Sequence, residues 1–204
     1  MGMVDDLGLF SKAGITLPRY EFVPIGHRPV LFSAEKFVIK AVGKNIVHKT
    51  DIGAIKMNVD KESVELEIRR MRNKLEKLRP EGFLIQEQVP KGTEVIIGAK
   101  RDLQFGDVVL FGVGGVYVEL YKDVSVRLCP VSDTDALEMI NETKAGHLLE
   151  GFRGRPSIDK RMVAGIIKKV CAVMHRNPDI KEIDLNPVVL YPTSYSAVDV
   201  RVIR

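Results

Sequence analysis

Three stretches of this sequence hold residues whose types and spacing can do chemistry. The first is Asn45-Ile46-Val47-His48-Lys49-Thr50-Asp51-Ile52-Gly53. An imidazole with an ordinary pKa near 6.5 offers a neutral, nucleophilic nitrogen at neutral pH. Lysines, a hydroxyl and glycine beside His48 suit contact with phosphate. The same composition also fits a histidine in a solvated loop, and His27, His147 and His175 have less context still. The second stretch is Phe111-Gly112-Val113-Gly114-Gly115. Its main-chain N–H groups can face a phosphate, or it can be a tight connection between strands. It is not a dinucleotide fingerprint, because the third glycine of GxGxxG would fall at Tyr117 and a strand, not a helix, is expected next. The third is Glu182-Ile183-Asp184-Leu185-Asn186-Pro187. Alternation along a strand puts Glu182, Asp184 and Asn186 on one side. An antiparallel neighbour would bring Asp199 beside Asn186. Hard oxygen ligands from two strands suit Mg²⁺ bound through nucleotide phosphates. A solvated polar edge strand fits that pattern as well.

Other signatures are missing. No GxxxxGK[ST], HExxH, CxxC or EF-hand pattern occurs, nor any Ser or Cys nucleophile signature. The 204 residues carry a net charge of +4, with 45% hydrophobic and 28% charged residues. That is an ordinary globular balance, which excludes disordered and fibrous classes. Basic and acidic residues are interleaved, so no nucleic-acid partner is expected. Cys129 and Cys171 cannot build a disulfide framework and read as reduced thiols. No apolar run approaches the ~20 residues that cross a bilayer, and the first residues lack signal-peptide features. A cytoplasmic protein without a membrane partner is expected.

The elements that must position these residues can be read from periodicity. Val4–Ala13 is a weak helix ended by Gly14. Strands are expected at Tyr20–Val23, Phe37–Val42 and Ala54–Val59, with Gly43–Gly53 as a loop. Asp60–Leu78 is the clearest helix, since Val64, Ile68, Met71, Leu75 and Leu78 recur at helical spacing and Pro80 follows. Asp60 is its expected N-cap. Strands follow at Phe83–Val89, Thr93–Lys100, Asp107–Phe111, Val116–Leu120 and Ser125–Pro130. Ser132–Glu150 reads as helix, divided around Gly146 and capped by Ser132. Ser157–Met174 is a second long helix. Ile183–Tyr191 and Ala197–Ile203 close the chain as strands. The order predicts an α+β protein built on mostly antiparallel sheet.

An ordered series of short segments then carries a resemblance. It comprises Lys12-Ala13-Gly14-Ile15 with Pro18, Val38-Ile39-Lys40, and His48 through Gly53. It continues with Gln86-Glu87, Gly92-Thr93-Glu94, Gly98 through Asp102 with Gln104-Phe105-Gly106, and Phe111–Glu119 with Asp123 and Arg127. Asp184-Leu185-Asn186-Pro187 and Asp199 complete it. From about Leu9 to Ile203 the chain resembles the ATP-grasp β subunit of the ADP-forming acetyl-CoA synthetases. The resemblance implies a single ATP-grasp domain over residues 1–204, with two α+β subdomains that hold a nucleotide between mostly antiparallel sheets. Residues 20–89 would be the nucleotide-covering subdomain and 90–204 the one carrying the metal site. Where the family places a helix, about thirteen residues separate Val23 from Phe37, so the first subdomain reads as trimmed. The sequence also has Gly53-Ala54 where the family prefers two glycines.

The resemblance also implies roles. Lys40 would contact the nucleotide phosphates, and Gln86 to Val89, with Glu87 between them, would line the adenine pocket. Glu94 would bind the ribose, and Asn186 and Asp199 would hold Mg²⁺. The amides of Gly112, Gly114 and Gly115 would help neutralise phosphate. His48 would carry a transient phosphoryl group passed to ADP to make ATP. A CoA-binding alpha subunit would complete a hetero-oligomer and handle the acyl-CoA. Two other expectations stand beside this one: a stand-alone ATP-grasp carboxylate ligase, and a non-catalytic ATP-grasp module. The succinyl-CoA synthetase β subunit shares the fold and the Asn/Asp pair but lacks the His48 motif.

Overall fold

The structure is a computed structural model that describes residues 2–46, 52–115, 123–151 and 156–204. His48 and the strand expected at Val116–Leu120 lie outside the described residues. The chain divides into two compact units, one of Pro18–Pro90 and one of Met1–Leu17 with Lys91–Arg204. The N-terminal segment therefore joins the C-terminal unit.

In the Pro18–Pro90 unit, strands β1 (Tyr20–Pro24), β2 (Phe37–Val42), β3 (Ile55–Val59) and β4 (Gly82–Glu87) form an antiparallel sheet in the order β1-β4-β2-β3. The β-branched and aromatic run Phe-Val-Ile-Lys-Ala-Val explains why β2 sits inside the sheet. Phe37, Ile39 and Ala41 alternate onto one face with Phe83 and Ile85 of β4 and pack with Val64, Met71 and Leu75. Burying each such Phe or Ile contributes roughly 1.5–3 kcal/mol. Val38, Lys40, Leu84 and Gln86 occupy the opposite face. Between β1 and β2, residues 27–34 adopt neither helix nor strand.

The long helix expected at Asp60–Leu78 is broken into three. A 3-10 turn at Lys61–Ser63 leads into α2 (Val64–Lys74), and a second 3-10 turn spans Glu76–Leu78. Arg79 then adopts a left-handed φ of +50°, and Pro80 lacks the N–H to continue. Asp60 holds the capping position, but its carboxylate accepts from Lys36 Nζ at 2.5 Å and caps nothing.

The other unit is built on β5 (Thr93–Asp102), β6 (Gly106–Val113), β7 (Val124–Leu128), β8 (Glu182–Leu190), β9 (Tyr195–Ala197) and β10 (Val200–Ile203). The sheet is antiparallel in the order β10-β8-β5-β6-β7, with β9 also on β8. One face pairs Val95, Ile97 and Ala99 with Val113, Phe111 and Val109, and helix α5 (Lys160–Arg176) covers β5 and β6. Its buried Val163, Ile166, Ile167, Val170, Val173 and Met174 supply the apolar stripe. Helix α1 (Met3–Lys12) lies by β10, where Asp6 pairs with Arg204 at 2.7 Å and Ala197 N–H donates to Thr16 O at 2.9 Å.

Four expectations change here. The helix Ser132–Glu150 splits into α3 (Asp133–Asn141) and α4 (Lys144–Leu148) at Glu142–Thr143, not at Gly146. Thr143 caps α4 by accepting the Gly146 N–H at 3.1 Å, and a Cβ on Gly146 would sit 1.7 Å from the Ile140 carbonyl. Gly146 thus marks a close approach between the pieces. Helix α5 starts after Asp159, its N-cap, and not at Ser157. Ile158 N–H donates to Leu149 O and Asp159 N–H to Pro192 O, and Asp159 is extended rather than helical. The last strand is two strands, interrupted at Val198–Asp199. Finally, Cys129 and Cys171 are joined in a disulfide with Cα atoms 5.5 Å apart, so they are not reduced thiols. It ties the residue after β7 to a buried turn of α5.

Candidate functional site

In the unit that ends the chain, β5, β6, β8 and the approach to β10 bring six expected residues together. Gly114 N–H donates to the Glu94 carbonyl at 3.0 Å, so the glycine turn folds against the start of β5. A Cβ on Gly114 would lie 2.4 Å from Val95 main chain, and one on Gly112 would lie 2.4 Å from the Asp123 carbonyl. Only glycine permits this approach. Gly115 takes a φ of +69°, and its N–H donates to Asn186 Oδ1 at 2.8 Å. A Cβ there would fall 2.3 Å from Glu94 Oε2. Glu94, the glycine turn and Asn186 are one assembly.

Asn186 is joined to Asp199 through the main chain: its N–H donates to the Asp199 carbonyl at 3.2 Å. The Asn186–Pro187 peptide is cis. Two residues earlier, Asp184 has a buried Oδ1 with no hydrogen-bond partner among the described residues. Burial pushes its carboxyl above the ordinary value, Asp199 and Glu182 add repulsion, and Arg201 offsets part of it. A local excess of carboxylate oxygen is what a bound cation relieves. Asn186 Oδ1 spends one lone pair on Gly115 and keeps another. Among the described residues no group of three or more His, Cys, Asp or Glu forms a metal cage. Mg²⁺ needs none, since it takes one or two protein oxygens and completes its shell with water and phosphate. The donor set of Asn186 and Asp199 fits that ion. Asp184 was legible as a carrier of the alternating pattern, but only burial marks it as electrostatically strained.

The Pro18–Pro90 unit holds the other expected contacts. Lys40 of β2 is 3% exposed, and Gln86 of β4 is 2% exposed with its Oε1 unpartnered among the described residues. Both occupy the sheet face away from α2. A buried amide oxygen without a donor is an open position for a ligand N–H. Glu87 differs, because its register opposite Phe37 turns its side chain to the α2 face. Val89 lies past the end of β4. The adjoining Gln88 side chain anchors this connector: it accepts from Asn58 N–H at 2.6 Å and donates to Asn58 Oδ1 at 2.7 Å. Residues 18–90 hold fourteen Lys and Arg against ten Asp and Glu, so the whole net charge of +4 belongs to this unit.

His48 lies outside the described residues, and its flanks are anchored. Ile46 and Ala54 are buried in the core under β2, and Ile52 packs against it. The other three histidines are exposed.

A family model for the ATP-grasp domain matches residues 30–203, and the chain belongs to that family. The α+β fold with mostly antiparallel sheets is the expected one. The beta subunit of ADP-forming acetate–CoA ligase I from Pyrococcus furiosus is 41% identical over 199 residues, covering 93% of this chain and 85% of that subunit. ADP-forming acetate–CoA ligase I from Archaeoglobus fulgidus is 39% identical over 170 residues, 81% of this chain. The chain spans 25% of that longer protein. Among solved structures, acetyl-coenzyme A synthetase 1 of Ca. Korarchaeum cryptofilum superposes with a TM-score of 0.84 at 36% identity, covering 100% of this chain and 91% of that chain. That protein was captured with coenzyme A and Mg-AMPPCP, its phosphohistidine segment pointing towards the nucleotide binding site.

Proposed function

We propose that this chain is the nucleotide-binding subunit of an ADP-forming acyl-CoA synthetase. The observation that carries the reading is the Glu94–Gly115–Asn186–Asp199 assembly, in a chain matching a ligase beta subunit over 85% of that subunit's length. The overall reaction is acyl-CoA + ADP + phosphate ⇌ acid + CoA + ATP. Residues 20–89 act as the nucleotide-covering subdomain and 90–204 as the metal-bearing one. A CoA-binding partner subunit handles the acyl-CoA and forms the acyl phosphate.

The neutral imidazole of His48 accepts the phosphoryl group from the partner: an N–P bond forms as the donor's bond to phosphorus breaks. A terminal β-phosphate oxygen of ADP then attacks phosphorus, and the imidazole leaves as ATP forms. Such transfers depend on positioning and charge neutralisation. Lys40 contributes a buried ammonium for the phosphates, Gly115 a turn held in place by Asn186, and Glu94 a carboxylate for the ribose hydroxyls. Mg²⁺, held by Asn186 and Asp199, would screen the phosphate charge during transfer. Gln86 Oε1 is suited to accept from the adenine amino group.

The test is phosphoryl transfer in the complex with the CoA-binding subunit. ATP and Mg²⁺ should label wild-type chain with acid-labile, base-stable phosphate, and His48→Ala should abolish both the label and ATP synthesis. A fully active His48→Ala complex would overturn the reading.

A further inference from the structure

The hairpin joining β5 and β6 presents bare apolar side chains on a braced frame. Leu103 is 102% exposed and Phe105 is 68% exposed. The polar groups at its base satisfy one another. Asp102 Oδ1 accepts from Gln104 N–H at 2.8 Å and Phe105 N–H at 3.0 Å. Arg101 pairs with Asp107 at 2.7 Å and donates to Met174 O at 2.8 Å. Gly106 closes the turn at a φ of +82°. The tip is therefore ordered before it meets anything, and it has no polar demand of its own.

The apolar surface continues onto the sheet. Leu128 lies opposite Val108, which lies opposite Lys100 near the hairpin base. On the same open face, away from α5, Val124, Val126 and Leu128 are 42%, 49% and 55% exposed. Among the described residues β7 ends this sheet on the side away from β10. Lys100 lies opposite Glu182, so opposite charges face each other on this side of the sheet. A contiguous exposed apolar face marks a contact surface. A rigid aromatic anchor ringed by satisfied polar groups has the form of an interface hot spot.

We propose that the Leu103–Phe105 tip and the open face of β7 dock the CoA-binding partner subunit. The inference rests on the function proposed above. What selects that occupant is the contrast between relatives: this chain matches 85% of a separate beta subunit but only 25% of a longer ligase. The same domain works beside a large remainder, whether or not the two are covalently joined. A neutral apolar face suits a permanent protein neighbour better than a phosphate-rich polymer or headgroup.

The test uses the full chain with the CoA-binding subunit that co-purifies with it. Two double variants are made, Leu103→Ser with Phe105→Ser, and Val126→Thr with Leu128→Thr. Each should weaken the complex at least about 10-fold by titration calorimetry. ADP binding and melting of the isolated chain should stay as in wild type. Hydroxyl-radical footprinting of the unmodified complex should show protection of Leu103, Phe105 and Leu128, which keeps the test independent of variant folding. Wild-type affinity in both variants, or free-chain labelling in the complex, overturns the proposal and leaves the functional reading intact. Variants that dissolve a homodimer of this chain but spare the complex also overturn it, in favour of a second copy. If wild-type chain neither binds a CoA-binding subunit nor forms phosphohistidine, the functional reading falls, and this inference with it.

Discussion

Substituting Gly115 by alanine separates the conformational role of the glycine turn from its role in nucleotide binding. Gly115 sits at a φ of +69°, where an L side chain costs roughly 1–2 kcal/mol. For a chain of this size each kcal/mol is about 2–4 °C of Tm. Gly115→Ala should thus melt roughly 2–8 °C below wild type. The new Cβ would also stand 2.3 Å from Glu94 Oε2, so the carboxylate must swing aside. Glu94 is exposed, and moving it adds little to the stability cost. If Glu94 holds the ribose, its displacement forfeits a charged hydrogen bond of ~1.5–3 kcal/mol, about 10- to 150-fold in Kd. Calorimetric titration with Mg-ADP reads the second effect, and melting of the free chain reads the first. A double-mutant cycle isolates the coupling. Glu94→Ala with Gly115→Ala should bind Mg-ADP no more weakly than Glu94→Ala alone, while the two melting penalties add. Wild-type ADP affinity in Gly115→Ala, or additive losses of affinity, would refute the reasoning.

Asn186→Ala removes the acceptor of the Gly115 N–H. It should cost roughly 1–3 kcal/mol of stability and shift the Mg²⁺ dependence of ADP binding to higher concentration, whereas unchanged magnesium titrations would count against the metal assignment. Reducing the Cys129–Cys171 bond, which closes a 42-residue separation, should lower stability by about 4 kcal/mol in the chain-entropy account; Cys129→Ser with Cys171→Ser should melt at the same lowered temperature, insensitive to reductant. Ser132→Ala should act with a pH signature. The Ser132 hydroxyl, then its N–H, holds the Asp135 carboxyl below its ordinary value. That stabilisation is complete above the unfolded carboxylate range and is lost as pH falls through the depressed folded value. The Tm gap between wild type and variant should therefore narrow below about pH 4, and parallel profiles from pH 2.5 to 7 would contradict the cap.

Elements governed by local chemistry were legible in the sequence, and those governed by distant contacts were not. β2 declared itself through its β-branched and aromatic composition, α2 through apolar spacing, and Ser132 as a capping residue type at the head of a helical pattern. The pairing of Asn186 with Asp199 followed from strand alternation, because both flank one antiparallel junction. By contrast, the start of α5 depends on Asp159 N–H reaching Pro192 O, and the α3–α4 break on the fit of Gly146 under Ile140 O. The second contact is local, and Gly146 marked the division while Thr143 fixed its place; the first has no local signature. The disulfide escaped for the same reason, since nothing near Cys129 names Cys171. At the site, residue identities and spacing pointed to Asn186, Asp199 and the glycine turn. The bond from Gly115 to Asn186, the strained position of Asp184 and the turning-away of Glu87 required the register of the strands.

The chain leaves one unit at Leu17 and returns to it at Lys91, with Pro18 and Pro90 at the two crossings. The enclosed unit is thus an insertion in the other. Its consequence falls during synthesis. Residues 18–90 have all their strands and α2 once Pro90 has been made, and they can fold while the rest is still being translated. Helix α1, made before the insertion, must wait for β10, because Asp6 meets Arg204 and Thr16 meets Ala197 only across the intervening insertion and sheet. Until β10 is made, then, α1 is a segment without its partner. A nascent chain stalled after Leu190 would carry a finished insertion and an enclosing sheet that still lacks β9, β10 and the docking of its N-terminal helix.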